Sequence, residues 1–481
     1  METSISSYGY KIKKKDLNLK QIEKIRKDLM ITPFIYDPVN NKQNTDKKFN
    51  ILLESPKALY VPRFYGIDNY GLPKLNKLPD GDNADLNFNG SLREEQKPIT
   101  EAYLKASEEK GAGMISIRCG GGKTVLALYI ASIFKKKTIV IVHKTFLMDQ
   151  WAERIRQFLP GARIGYIQAS TIDIDNKDIV IAMLQSLSMK EYEDNLFESF
   201  GFSVWDEAHH LSAEVFSKAM RKISPKYLLG LSATIKRNDN TQFVFHYYLG
   251  DVVYKQDDEI NKNKVECRLI QYESNDAKYS KIETIFNGNI CRPRMVNNIT
   301  EHKPRTDVIL KYLYKYYDEG RTILILSERR DHLIRMMEEI NEHYDGVVAG
   351  LYIGGIHPES LKETEKLRCI LGTYSFFSEG ADIKSLDTVI LGSPISAVEQ
   401  SIGRIFRAQG EHHKLICDFI DVNIACFAKQ SEKRLPLYKK KGYELYYNEN
   451  EEKEEYKKRN YKNKGVKKEK EKELWESECL L

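Results

Sequence analysis

Short apolar runs, each followed by a polar loop and a helical stretch, dominate the chain from Leu92 to about Lys255. They predict strands at Met114 to Ile117, Thr138 to Val142, Ile179 to Met183, Phe202 to Trp205 and Tyr227 to Leu231. Runs that stay apolar rather than alternating suit strands buried on both faces, as in a parallel sheet covered by helices. In such sheets functional loops gather at the carboxyl ends of the strands. A second region of the same rhythm runs from about Lys303 to Phe427. It predicts strands at Thr322 to Leu326, Val347 to Leu351, Cys369 to Gly372, Thr388 to Leu391 and Leu415 to Cys417. The fold class is therefore α/β with two domains, placed at residues 91–255 and 303–430. Residues 256–302 break the rhythm and are expected to bridge them.

Residues 1–90 read differently. Ile22, Ile25 and Leu29 have helical spacing, which predicts one amphipathic helix. Beyond Pro33 come short aromatic and apolar runs, Phe49 to Leu53 and Ala58 to Gly66, punctuated by Pro and Gly. That punctuation predicts a small β-rich module, with residues 71–90 as a linker. At the other end, residues 431–481 grow increasingly charged. Glu451 to Glu473 mixes Lys and Glu with almost no apolar residues, the composition of a solvated helix or disordered tail.

Bulk composition adds limits. Hydrophobic residues make up 41% and charged residues 30% of 481, enough for several cores. The net charge of +6 permits a nucleic-acid partner without demonstrating one. Seven cysteines are scattered without a C-x-x-C pair, which argues against a zinc site or disulfide framework and suits a reducing, intracellular compartment. Met1 to Lys15 is polar and basic, unlike a signal peptide. No run approaches the roughly 20 apolar residues of a membrane helix.

Two segments carry chemistry. Gly120-Gly121-Gly122-Lys123-Thr124 follows a predicted strand and opens a predicted helix. Its glycines leave room for backbone N–H groups around a polyphosphate, Lys123 can reach the β and γ phosphates, and the Thr124 hydroxyl is placed for Mg²⁺. Asp206-Glu207-Ala208-His209 follows the run Phe202 to Trp205. Asp206 can hold the same ion through its water shell, and Glu207 can polarise the attacking water. A glycine turn without a ligand is the plain alternative for the first segment alone, and its usual first glycine is here Ile117. Both segments together, in this order, point to a nucleoside triphosphatase using ATP and Mg²⁺. In the second region Arg404 and Arg407 stand three apart in Gln400 to Arg407 and share a helix face. They could reach a γ-phosphate as arginine fingers do; ordinary surface salt bridges are the alternative.

The order of these segments resembles the superfamily 2 helicases and translocases of the D-E-x-H kind, over roughly residues 90–425. The resemblance implies two RecA-like domains with parallel sheets. It implies that Gln96, in Leu92 to Gln96, reads adenine. Val142-His143-Lys144 through Gln150-Trp151 is similar to motif Ia, which touches the nucleic-acid backbone. Ser232-Ala233-Thr234 is similar to motif III, which with His209 couples hydrolysis to domain movement. Ser378-Glu379-Gly380-Ala381-Asp382 resembles motif V, placing Gly380 and Asp382 near the nucleotide, and Gln400 to Arg407 matches motif VI. Gln150-Trp151, Cys119-Gly120 and Arg237 to Asp239 resemble the XPB-type branch, and Tyr60 to Gly66 resembles a segment of virus-encoded transcript-release helicases. Asn240 departs from that pattern, where glycine often stands. The resemblance implies an ATP-driven motor on DNA or a transcription complex, with transcription machinery as a candidate partner. If it is viral, host cytoplasm or the virion is its place. An RNA helicase, or an ATP-gated nucleic-acid switch that does not translocate, remains the alternative.

Overall fold

The computed structural model describes residues 2–34, 36–37, 42–43, 47–117, 121–193, 195–207, 213–232, 239–256, 265–286, 288–380, 383, 385–396, 398, 402 and 412–447. These form two compact units, one holding the described residues up to 256 and the other those from 265.

The first unit is built on an eight-stranded sheet. Its order is Thr171–Asp173, Ile164–Gln168, Ile179–Met183, Thr138–Val142, Phe202–Asp206, Tyr227–Ser232, Ala112–Ser116 and Val252–Lys255. All pairings are parallel except the edge strand Thr171–Asp173. Every residue of Thr138–Val142, Ile179–Met183 and Phe202–Asp206 is buried, which is why these strands are mostly apolar. The five strands expected here are present, with ends shifted by up to two residues. Ile164–Gln168 and the edge strands Thr171–Asp173 and Val252–Lys255 add to them.

A smaller five-stranded sheet, ordered Leu53–Glu54, Ala58–Val61, Gly9–Lys13, Thr3–Ser6 and Leu75–Asn76, belongs to the same unit. The helix Leu19–Asp28 begins at an Asn18 capping box and buries Ile22 and Ile25. The apolar run after Val61 is not extended: Arg63–Tyr70 is a helix. It follows Pro62 and lies on the helix Gln242–Leu249, with Tyr65 and Tyr247 rings edge to face at 5.2 Å. Phe64 and Tyr65 share one continuous core with Phe216, Phe245 and Leu249. Arg63 donates to the carbonyls of Lys110 (2.6 Å) and Lys226 (3.0 Å), binding its helix to the C-terminal end of the helix Lys97–Lys110. Cationic groups are favoured at such helix ends.

The second unit has a seven-stranded, all-parallel sheet. Its order is Ala349–Tyr352, Cys369–Thr373, Ile323–Ser327, Thr388–Leu391, Lys414–Asp421, Val265–Tyr272 and Glu444–Tyr447. Val265–Tyr272, within the stretch read as a bridge, is thus an interior strand. It carries polar residues all the same: Glu266 faces Arg268 Nε at 2.5 Å and His413 Nε2 at 3.1 Å. Two ion pairs with no exposed side-chain surface to speak of, Arg305–Asp421 and Arg434–Asp418, tie helices to Lys414–Asp421, and Tyr279 and Tyr438 donate to the same two carboxylates. Among the described residues, no helix is long and apolar enough to cross a membrane.

Candidate nucleotide site

The strands Ala112–Ser116, Tyr227–Ser232 and Phe202–Asp206 are neighbours, with Ser116 opposite Ser232 and Asp206 opposite Leu231. The glycine loop, Ser232 and the Asp206-Glu207 pair therefore emerge at one carboxyl edge of the sheet, where open α/β sheets bind ligands.

Ile117 departs from the glycine pattern for a visible reason. Its N–H donates to the Ser232 carbonyl at 3.1 Å and its side chain is buried. It prolongs the sheet pairing, so the turn begins after it. Gly122 is where glycine is required. Its φ is +80°, and a Cβ there would lie 2.2 Å from Gln96 Nε2. The helix Lys123–Phe134 starts directly after it, leaving the first-turn N–H groups of that helix for an anion.

Gln96 is buried. Its Nε2 donates to the Gly121 carbonyl at 3.2 Å, and its Oε1 accepts from the Arg93 N–H at 3.0 Å. It thus holds the glycine loop directly. Lys123 and Glu207 form an ion pair, both side chains largely sheltered. Glu207 has φ +47°, uncommon for a residue with a side chain, and its N–H bonds the Leu231 carbonyl at 3.1 Å. This left-handed turn just past the strand sends the carboxylate toward Lys123, and strained backbone of this kind clusters at functional sites. Asp206 is buried, and its Oδ2 accepts from Trp151 Nε1 at 2.8 Å. Sequence reasoning noted Trp151 only as a family mark; the bond joins residues 55 positions apart.

The donor set suits a hard cation of modest demands. No group of three or more His, Cys, Asp or Glu side chains could hold a metal among the described residues. One carboxylate, Asp206, and one hydroxyl, Thr124, stand beside a phosphate loop. That is an oxygen-only set for Mg²⁺, which keeps several waters and leans on substrate phosphates.

Of the other expected site residues, Ser232 ends its strand, and Gly380 ends the helix Tyr374–Gly380. Asn240, at the departure from the family pattern, has φ +56°, so it adopts the left-handed backbone that glycine would favour and asparagine tolerates. Gly120, His209, Ala233, Thr234, Asp382, Gln400, Arg404 and Arg407 lie outside the described residues.

A glycine loop, a lysine, and an Asp-Glu pair on one edge of a parallel sheet define a nucleoside triphosphatase. Residues 89–237 match the family described as type III restriction enzyme, res subunit. Over 456 residues the chain is 33% identical to the protein of Acanthamoeba polyphaga mimivirus named "Putative ATP-dependent RNA helicase L396", covering 93% of this chain and 87% of that one. It is 29% identical over 363 residues to "Probable helicase D10" of Escherichia phage T5, covering 73% of this chain and 76% of that one. The solved structure of T4 UvsW is 16% identical, covering 93% of this chain and 99% of that chain, with a TM-score of 0.38. The chain belongs to the superfamily 2 helicases. It is an ATP-hydrolysing enzyme with RecA-like parallel sheets, and it acts on nucleic acid.

Proposed function

We propose that this chain is an ATP-driven motor that moves along duplex DNA or within a transcription complex. The observation that carries the catalytic part is the convergence of Lys123 and Glu207 beside Asp206 at the sheet edge. Lys123 and the loop N–H groups bind the β and γ phosphates. Thr124 and Asp206 would hold Mg²⁺, which when bound would neutralise charge at the transferring phosphoryl group. Glu207 exchanges Lys123 for the attacking water and orients it. Arg404 and Arg407 stabilise the charge of the transition state, as arginine fingers do. By the family resemblance Gln400, Gly380 and Asp382 also serve the nucleotide, and His209, Ser232, Ala233 and Thr234 couple hydrolysis to movement.

Contacts from motifs Ia and V read phosphate rather than base, so sequence preference is weak in this account. Resemblance to XPB-type and transcript-release enzymes supports DNA. The name of the mimivirus relative favours a second reading, an RNA helicase. ATPase rates with single-stranded DNA, duplex DNA, single-stranded RNA and RNA–DNA hybrid, measured side by side, separate the two. Strongest stimulation by DNA supports the first reading, and strongest stimulation by RNA replaces it with the second.

A further inference from the structure

We propose that Trp151 is a positioning residue for Asp206: its indole N–H fixes the carboxylate in the orientation that holds Mg²⁺. The inference rests on the reading of Asp206 as the ion's carboxylate. Trp151 lies on the helix Thr145–Phe158, its ring in the core formed by Met148, Ile155 and Val204. Only 2% of the residue is exposed, and Asp206 is 8% exposed. Between them runs a buried hydrogen bond of 2.8 Å from Nε1 to Oδ2.

The chemistry of this pair is one-directional. An indole N–H can only donate, and a buried one needs an acceptor. A carboxylate can accept at about four lone-pair positions, so one bond from Trp151 leaves it capacity for an ion's water shell. A neutral donor restrains the carboxylate without cancelling its charge, as a lysine or arginine in that place would. The ring cannot rotate without disturbing the core around it. Asp206 therefore keeps one orientation before nucleotide arrives. Partners of this kind hold metal-binding groups in register, and losing one typically costs about 10- to 100-fold in metal affinity.

The test is nucleotide affinity as a function of Mg²⁺, read with a fluorescent ADP on the full-length protein. Wild type binds more tightly as Mg²⁺ rises, and Asp206→Asn loses that dependence. Trp151→Phe keeps an aromatic ring but loses the donor. It needs about 10-fold or more Mg²⁺ for the half-maximal effect, while its affinity in EDTA stays at the wild-type value; its thermal midpoint falls, because the smaller ring leaves a cavity, and a cooperative melt shows that it is folded. If Trp151→Phe folds poorly, benzothienylalanine at position 151 replaces the N–H with sulfur and keeps the ring's shape; it gives the same shift. A wild-type Mg²⁺ midpoint in either folded variant overturns the role of Trp151. Absence of any Mg²⁺ effect in wild type, or its survival in Asp206→Asn, overturns the ion reading beneath it, and the inference with it.

Discussion

The Lys123 ammonium and the Glu207 carboxylate form an ion pair that joins the first residue of one helix to a strained residue 84 positions later. In the mechanism proposed above Lys123 serves the phosphates and Arg407 the transition state, so their removal has different consequences. Lys123→Ala weakens nucleotide binding and slows turnover together. Arg407→Ala mainly slows turnover, because its charge is needed in the transition state. Nucleotide binding and single-turnover rates on both variants check this. Equal losses of affinity in both, with no change in the chemical step, remove Arg407 from the role of arginine finger.

Nucleic-acid binding is governed by salt. With several phosphates neutralised, affinity falls by about 10³ or more between roughly 50 and 200 mM salt. Titrations of a labelled polynucleotide at stepped salt measure the slope, and a flat response contradicts a backbone-tracking motor.

Arg63 is the clasp between the small N-terminal sheet and the large one. Burial lowers its pKa to about 10, so it remains a cation at neutral pH and is held by the carbonyls of Lys110 and Lys226. Arg63→Ala costs about 2–4 kcal/mol, since two charge-assisted bonds vanish and two carbonyls are left unpaired. Gly111→Ala disturbs the same point: its φ is +72°, and a Cβ would lie 2.2 Å from Arg63 Nη2. Urea unfolding of both variants tests the clasp. Wild-type midpoints show that the docking does not depend on it.

Acid weakens the second unit through His332. Burial holds its pKa down to about 3, with Ser327 Oγ 3.1 Å from Nδ1 and Thr306 Oγ1 3.2 Å from Nε2. The unfolded chain takes up this proton near pH 6.5, before the folded one does. The stabilisation is therefore complete above pH 6.5 and is lost as pH falls toward 3, by at most about 1.4 kcal/mol per pH unit. Denaturant titrations between pH 7.5 and 5 show this slope in wild type and a shallower one in His332→Gln. Equal slopes assign the acid sensitivity elsewhere.

Much of this arrangement was legible in the residues. Thr138–Val142 and Phe202–Asp206 are buried throughout, so their apolar runs announced them. The place of Asp206 and Glu207 at a strand end was legible because the apolar run Phe202 to Trp205 stops there. Val265–Tyr272 was hidden because Glu266 and Arg268 interrupt its apolar run; the two lie 2.5 Å apart as an ion pair on the strand. Arg63–Tyr70 read as extended because its aromatic density comes from docking on Gln242–Leu249, not from any helical period. The bond from Trp151 to Asp206 leaves no trace in spacing, since only the sheet order brings its ends together.

The central claim is that Glu207 orients water in an ATPase driven by nucleic acid. The direct measurement is ATP turnover with and without polynucleotide, for wild type and Glu207→Gln, alongside nucleotide affinity. The account predicts polynucleotide-stimulated turnover in wild type. It predicts a loss of two or more orders of magnitude in Glu207→Gln, about 3 kcal/mol or more, with nucleotide still bound. Near-wild-type turnover in that variant, or wild-type turnover indifferent to every polynucleotide, contradicts it.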